Sequence, residues 1–219
     1  MKLTVDFPSV AFRDGPDKVL ALARSIEAQG YDEIAVFDHV VMGYPSPDRE
    51  GPRYPPRMPI LEAVVLMAQL AAVTERIGIG SEVLVLPQRE PTLVAKQIST
   101  IDTLSGGRVR LGVGVGWQAA EYEALGQDFT TRGRRMDEAI RLLRTYWQDE
   151  RIDFDGEWYV ANAVAMEPKP VQDGGPPIWI GGGSPAALRR GAPRRAGGGG
   201  AGPGGGGGRG APRVPRHPP

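Results

Sequence analysis

The stretch IGIGSEVLVLPQREPTLVAKQISTIDTLSGGRVRLGVGVGW, residues 77–117, decides the fold class. It contains two apolar runs of strand length, IGIGSEVLVL and RVRLGVGVG. Between them lies PTLVAKQISTIDTL, in which apolar residues recur at helical spacing before the sequence SGG closes the helix. A strand, a helix and a second strand at this spacing predict a βαβ unit with parallel strands.

The same alternation extends outward in both directions. Upstream, LTVDF and EIAVFD are predicted strands around the helix PDKVLALARSIEAQG, and the apolar segment ILEAVVLMAQLAAVTER is the next helix. Downstream come the amphipathic helix RGRRMDEAIRLLRTYW, a small hairpin around FDGEWYV and a further strand, PPIWIGGG. Nearly continuous apolar strands are typical of a parallel sheet that is covered on both faces. The sequence therefore predicts an α/β fold, either a doubly wound sheet or a (β/α)8 barrel.

The charge distribution limits the classes of partner. The 219 residues carry 26 basic and 26 acidic side chains, but the last 29 residues contain five arginines and no acid. The first 190 residues therefore have 21 basic and 26 acidic side chains, a net charge of −5. A mildly acidic body gives no electrostatic reason to expect binding to nucleic acid or to a membrane surface.

Two further observations indicate the compartment. The chain has no cysteine, which excludes disulfides and thiolate chemistry and fits a reducing cytoplasm. The N-terminal segment MKLTVDFPSVAF is too short and too polar for a secretory signal, and no apolar run approaches the roughly 18 residues of a membrane span. We therefore expect a cytoplasmic protein.

Polar and glycine-rich residues follow three of the predicted strands. Asp38 and His39 end the second strand, Gly116 and Trp117 follow the fourth, and glycines 181–183 follow the fifth. Ligands bind at the carboxyl ends of the strands in both candidate architectures. An imidazole there can take or give a proton near neutral pH. The alternative is that His39 is hydrogen-bonded to its neighbour Asp38 as a structural latch. The sequence predicts no metal site.

The glycines of LGVGVGW do not form a nucleotide-binding pattern. They are spaced Gly-x-Gly-x-Gly, and no Lys-Ser/Thr pair follows them. Glycine at 112, 114 and 116 leaves one face of the strand without side chains. Either a flat ligand or a neighbouring part of the protein can approach that face closely.

The sequence changes character at Gly191. All of residues 191–219 except Val214 and His217 are Gly, Ala, Pro or Arg, which can all be encoded by codons that start with two G or C bases. We therefore hypothesise a frameshift near codon 190, and a genuine extension is the alternative. We expect residues 1–190 to form the folded part and residues 191–219 a disordered Gly/Pro/Arg-rich tail. Five arginines without aromatic residues are a poor RNA-binding segment.

Taken in this order, several segments resemble the luciferase-like monooxygenase family, and within it the deazaflavin (coenzyme F420)-dependent oxidoreductases. The matching segments are YDEIAVFDHVV, AAVTERIGIGSEVLVLPQREPTLVAKQISTIDTLSGGRVRLGVGVGW, EYEALG, RGRRMDEAIRLLRTYW and PKPVQDGGPPIWIGGGSPAAL. The resemblance covers residues 1 to about 190. It implies a TIM barrel of the (β/α)8 type that is incomplete, with about five of the eight strands, in a C-terminally truncated or frameshifted chain.

The resemblance also implies roles for individual residues. His39 is the expected catalytic residue. The third strand is expected to end in a bulge with a cis non-proline peptide bond between Val83 and Leu84. The residues expected to contact the coenzyme are Asp38, His39, Val83, Leu84, Gly116, Trp117, Gly181 and Gly182.

The activity implied by the resemblance is hydride transfer between coenzyme F420 and a small organic substrate. The alternative is an FMN-dependent monooxygenase, in which the reduced flavin activates oxygen. A non-enzyme alternative is an inactive truncated remnant or a non-catalytic subunit. The expected partners are a small-molecule substrate and a second copy of the chain in a homodimer.

Overall fold

The computed structural model describes residues 1–8, 10–47, 51 and 53–191. Among these residues, eight strands lie at Thr4–Asp6 (β1), Glu33–Val36 (β2), Gly78–Ser81 (β3), Leu84–Val85 (β4), Val109–Gly114 (β5), Ile152–Asp155 (β6), Val160–Val164 (β7) and Ile178–Ile180 (β8). The α-helices of the same described residues lie at Pro16–Ala28 (α1), Ala63–Val73 (α2), Pro91–Ser105 (α3), Ala119–Ala124 (α4), Arg132–Gln148 (α5) and Pro185–Gly191 (α6). Within the described part of the chain, no helix has the length and apolar character needed to cross a membrane.

The main sheet is parallel, and its strands follow the chain order. β1 pairs with β2, β2 with β3, β3 with β5, and β5 with β8. The short strand β4 also pairs with β5 and continues the position of β3. Each new strand is added on the same side of the sheet, whereas a doubly wound sheet reverses its direction of growth. The arrangement is therefore the barrel type.

Five consecutive barrel positions are occupied in the described part of the chain. β1 and β8 lie at its two edges, so the sheet is not closed by these residues. β6 and β7 form a separate antiparallel hairpin, as the sequence predicts. The predicted disordered tail lies outside the described residues.

The two faces of the sheet differ in composition. Ile34, Ile79 and Leu111 point toward the helices and are fully buried. On the other face, glycine and alanine alternate with three larger side chains, Glu33, Arg110 and Trp179. The guanidinium of Arg110 lies 2.5 Å from a carboxylate oxygen of Glu33 and 4.3 Å from the ring centroid of Trp179. The apolar face therefore forms the core with the helices, and the inner face carries glycine, alanine and a small ionic cluster.

Helix α3 begins and ends where the sequence indicates, whereas α2 is shorter at both ends than its predicted segment and α4 was not predicted. Pro91 opens α3, the side chain of Glu90 accepts a hydrogen bond from the N–H of Leu93 (2.7 Å), and Gly106 ends the helix with φ of 70°. The apolar stripe of the amphipathic helix α5 is buried, with α3 as a main neighbour, and it consists of Met136, Ile140, Leu143 and Trp147.

One predicted strand is broken in two. The run IGIGSEVLVL forms β3 and β4, which are separated by a bend at Glu82 and Val83. The cis peptide bond joins Glu82 to Val83, so the predicted position between Val83 and Leu84 was wrong by one residue. The reason is that Leu84 is already paired with Val113 of β5, which requires the bend to come before Leu84.

Buried carboxylates hold the irregular segments against the helices. Glu138 of α5 accepts hydrogen bonds from the N–H groups of residues 157, 158 and 159, at 2.9–3.0 Å, in the turn of the β6–β7 hairpin. Asp102 of α3 accepts from Val171 (2.9 Å) and Gln172 (3.1 Å). Because a buried N–H group without an acceptor is costly, each of these carboxylates fixes the position of a loop.

Replacing Glu138 by alanine is expected to destabilise the protein by about 2–4 kcal/mol, because three N–H groups lose a charged acceptor. Urea unfolding followed by circular dichroism measures this loss. The matched control is Glu150→Ala, at an exposed glutamate just after the same helix, where a change within about 0.5 kcal/mol is expected. Equal stability of the two variants would contradict this role for Glu138.

Candidate active site

The carboxyl ends of the strands surround a cavity of about 270 Å³. Seven of the eight residues predicted to contact the coenzyme line this cavity: Asp38, His39, Val83, Gly116, Trp117, Gly181 and Gly182. Phe37, Tyr54, Glu82, Gly114, Val85 and Val115 complete the lining. Residues that are up to about 140 positions apart in the sequence therefore meet at one end of the sheet.

Leu84 is the predicted residue that does not belong to the cavity. Its side chain is fully buried in the hydrophobic core, and its neighbour Val85 lines the cavity instead. Side chains alternate between the two faces of a strand, so the pairing of Leu84 with Val113 turns Leu84 toward the helices. Leu84 therefore lies behind the lining of the cavity, and its predicted contact with the coenzyme stays a prediction that this geometry does not support.

The glycine-bearing face of β5 is filled by neighbouring protein atoms. A Cβ on Gly112 would lie 2.0 Å from the carbonyl oxygen of Ser81, and one on Gly114 would lie 2.5 Å from a methyl group of Val83. A methyl group of Val83 would also lie 2.7 Å from a Cβ on Gly181. The alternative of close packing is therefore correct at these positions, and Val83 forms the floor of the cavity between two glycines.

Asp38 binds β4, directly after the bend, and not its neighbour His39. Its carboxylate accepts from the N–H of Val85 (2.9 Å) and pairs with Arg89 (2.7 Å). Burial raises the pKa of Asp38, while Arg89 and the N–H of Val85 oppose that rise. Arg89 also pairs with Glu62 (2.7 Å), and although burial lowers the pKa of Arg89, its two carboxylate partners outweigh it and raise the pKa.

His39 is paired with a residue that the sequence analysis did not identify. Its Nδ1 lies 3.0 Å from Oε2 of Glu121, and both side chains are buried. The proposed latch between His39 and Asp38 is therefore wrong. Burial raises the pKa of Glu121, but hydrogen bonds from His39 and from the N–H of Val40 outweigh this effect and lower the pKa. Glu121 is therefore a carboxylate at neutral pH.

Gln118 fixes the segment that follows His39. Its side-chain oxygen accepts from the N–H of Gly43 (2.7 Å), and its side-chain nitrogen donates to the carbonyl of Val41 (2.9 Å). Gln118 precedes α4 and Glu121 lies in its first turn, three residues later, so both side chains reach the same segment. The Gln-x-x-Glu spacing was visible in the sequence, but only the fold shows that it faces residues 40–43.

Aromatic side chains form one wall of the cavity. The rings of His39 and Trp117 are edge to face with centroids 5.4 Å apart, and Tyr54 lies 6.0 Å from His39. Phe37 contacts Tyr54 at 6.1 Å. Tyr54 and Phe37 were not predicted, because Tyr54 comes from the long loop before α2 and Phe37 reads as part of the strand. The wall leaves an apolar slot beside one imidazole.

These features define a barrel-type α/β protein with a candidate small-molecule site at the carboxyl ends of its strands. The family model for luciferase-like monooxygenases matches residues 5–197, and the chain belongs to this family. Relatives in the family are F420- or flavin-dependent oxidoreductases and monooxygenases.

Individual relatives are similar over most of the chain. An uncharacterised protein of Mycobacterium bovis is 38% identical over 79% of this chain and 62% of its own length. An F420-dependent glucose-6-phosphate dehydrogenase of Nocardia farcinica is 33% identical over 85% of this chain and 54% of its own length. An FMNH2-dependent dimethylsulfone monooxygenase of Pseudomonas putida is 37% identical over 58% of this chain and 35% of its own length. The chain therefore spans little more than half the length of the first two relatives.

A solved structure supports the fold. An F420-dependent secondary alcohol dehydrogenase in complex with an F420-acetone adduct superposes with a TM-score of 0.71 and 21% identity. The match covers 87% of this chain and 55% of the other protein. This likeness confirms the prediction of a TIM-barrel-type fold.

Replacing Arg89 by methionine is expected to destabilise the protein by about 3–5 kcal/mol at pH 8, because the buried Asp38 loses its counter-charge. Loss of Arg89 raises the pKa of Asp38 further above its unfolded value. The folded state then binds more protons than the unfolded state, so stability falls as pH rises through this range. The defect is therefore expected to be smaller at pH 5 than at pH 8, as measured by urea unfolding.

The double variant Asp38→Asn with Arg89→Met is the matched control. It removes both charges and is expected to recover part of the lost stability and most of the pH dependence. A defect in Arg89→Met that is independent of both pH and Asp38 would contradict the ion pair as its cause.

Proposed function

We propose that this protein is an F420-dependent oxidoreductase that transfers a hydride between the coenzyme and a small organic substrate. The observation that carries the proposal is the buried pair of His39 and Glu121 beside the aromatic wall of the strand-end cavity. Such a pair can move a proton on a substrate oxygen, which is what dehydrogenation of an alcohol requires. The relative that is an F420-dependent glucose-6-phosphate dehydrogenase supports the same chemistry.

The cavity suits the flat part of such a coenzyme. Its volume of about 270 Å³ is close to the lower limit of roughly 300 Å³ for small-molecule pockets, so it accommodates a ring system and not a whole coenzyme. Gly116 and Gly182 line the cavity with bare main chain, because glycine has no side chain. Their φ values of 65° and 112° are ones that glycine adopts readily. Val83 and Trp117 would contact the ring, and Asp38 would fix the bend that carries Val83.

The roles of the residues follow from this arrangement. The coenzyme, when bound, would supply the site that accepts or returns the hydride. His39 would take the proton from a substrate hydroxyl or return it to a substrate carbonyl oxygen. Trp117 and Tyr54 would exclude water from the space beside the imidazole.

A second candidate is an FMN-dependent monooxygenase. The dimethylsulfone monooxygenase relative uses reduced FMN and favours this alternative. A non-catalytic subunit or inactive remnant is the third candidate, and it predicts that neither coenzyme binds.

Coenzyme titration distinguishes the three candidates. We expect F420 to quench the tryptophan fluorescence of the protein, because Trp117 lines the cavity, and we expect FMN to quench it much less. The variant Trp117→Phe should lose most of the quenching. Trp158→Phe is the matched control, because this tryptophan lies in the turn of the β6–β7 hairpin, away from the cavity.

Quenching by FMN alone would replace the proposed function by the monooxygenase. Binding of neither coenzyme by the full chain would favour the non-catalytic alternative.

We also propose that the protein forms a homodimer through the outer face of α2. Every residue of α2 except Gln69 is apolar, yet Val65, Ala68 and Ala72 are exposed. A helix that is apolar on all sides is normally covered on all sides. Phe12, Leu20, Leu61 and Val65 line an apolar groove of about 310 Å³ beside it. A second copy of the same face would cover both groove and helix around a two-fold axis.

Replacing Val65 by glutamate is expected to convert the dimer to a monomer without unfolding it, because this side chain is 69% exposed. Sedimentation velocity measures the assembly state. Val160→Glu, at an exposed valine of the β6–β7 hairpin, is the matched control and should stay dimeric. A monomeric wild-type protein at micromolar concentration would refute the dimer.

We further propose a division of the chain into two parts and a cellular location for it. Residues 1–190 are the N-terminal part of a luciferase-like barrel, and residues 191–219 are a separate Gly/Pro/Arg-rich tail; the change of composition at Gly191 supports this division. The location is cytoplasmic, which the absence of cysteine supports.

A further inference from the structure

We propose that Glu121 is a positioning residue that fixes the neutral ring of His39 as the Nδ1–H tautomer, so that Nε2 presents its lone pair to the cavity. The tautomer itself follows from contacts within the chain, and only its effect on turnover rests on the proposed function. Which ring nitrogen of a neutral histidine carries the proton is set by the partner of the other nitrogen.

The carboxylate of Glu121 determines which ring nitrogen of His39 carries the proton. An ionised carboxylate only accepts hydrogen bonds, so the contact of 3.0 Å between its Oε2 and Nδ1 of His39 requires a proton on Nδ1. Glu121 is 1% exposed, so water does not compete for this oxygen. Nε2 is then the nitrogen that remains for a molecule in the cavity that His39 lines.

Main-chain N–H groups fix the orientation of the Glu121 carboxylate. Its other oxygen, Oε1, accepts from the N–H groups of Val40 (2.5 Å) and Val41 (3.4 Å). Gln118 holds the same segment through Val41 and Gly43. The main chain that follows the imidazole, residues 40–43, is therefore tied to Gln118 and Glu121 at the start of α4. Replacing Oε1 by a donor would leave the N–H of Val40 without its acceptor on α4.

This arrangement makes Nε2 of His39 the base for proton transfer. With Nε2 unprotonated, His39 can take a proton from a substrate hydroxyl: the O–H bond breaks and an N–H bond forms at Nε2. The imidazolium that results lies beside the negative charge of Glu121, which stabilises it. A carboxylate that orients a histidine and stabilises its cation in this way is known from the Ser-His-Asp triad of proteases.

The variant Glu121→Gln gives a sharp test, because the amide group has one acceptor and one donor. The N–H of Val40 donates at 2.5 Å to Oε1, whereas the side-chain nitrogen of Gln118 lies 3.5 Å from Oε2, so the amide oxygen is expected on the Val40 side and the amide nitrogen toward His39. Nδ1 then has to accept, and the proton moves to Nε2. We therefore expect the tautomer to invert and not merely to become mixed.

Nitrogen-15 spectra of the histidine rings measure the tautomer directly. The chain has two histidines, so the variant His217→Ala leaves His39 as the single signal. In this background we expect the Nδ1–H form at high pH, the Nε2–H form in Glu121→Gln, and the Nδ1–H form in the control Glu123→Gln, an exposed glutamate on the same helix. The Nε2–H form in the parent protein, or the Nδ1–H form retained in Glu121→Gln, would overturn the proposal.

Kinetics separate this inference from the proposed function. With F420 and an oxidisable alcohol, Glu121→Gln and His39→Gln are both expected to lower kcat by about 10²–10⁴-fold with little change in KM, because the base is lost in both. An unchanged kcat in Glu121→Gln would overturn the positioning role. Absence of turnover in the parent protein with either coenzyme would refute the proposed function, while the tautomer experiment would still decide the inference.

Discussion

The hydrogen bond from the N–H of Val85 to the carboxylate of Asp38 joins the segment after β2 to β4, the strand that follows the bend at Glu82 and Val83. The cavity depends on this contact, because the bend carries Val83, whose side chain forms the cavity floor between Gly114 and Gly181. Arg89 stabilises the buried charge of Asp38 and extends the connection to Glu62 at the start of α2. Three segments around the site are therefore held by one ionic cluster.

The same physical device recurs around the molecule. Glu121, Asp102 and Glu138 each accept hydrogen bonds from N–H groups of a loop, which have no partner in the ladders of the sheet. A carboxylate provides up to four acceptor positions, and its bonds are stronger than those of a neutral group. An N–H group in a loop otherwise needs water or a side chain, so these acids allow loops to pack closely on the helices. At Glu121 the device also engages the imidazole of His39.

The site combines two kinds of constraint. Packing fixes the apolar part, where the glycines of β5 and Val83 leave no free space behind the cavity. Electrostatics fixes the polar part. Asp38 binds Val85 and Arg89, and the next residue, His39, binds Glu121. Asp38 and His39 are neighbours in sequence, but they bind different partners because successive side chains leave the strand end in different directions. The polar and apolar constraints meet at His39, whose ring contacts Trp117 and Glu121.

The sequence by itself determined the parallel α/β order, the helices and the strand ends at which the site forms, because apolar periodicity and helix termini are local signals. It also identified His39 and most of the residues that line the cavity. Only the tertiary structure decided which partner each polar residue takes. Glu121 lies 82 positions from His39. Val85, not Leu84, faces the cavity, because the pairing with β5 fixes the alternation of side chains after the bend. Contacts between distant segments depend on how strands align, and no local pattern records that alignment.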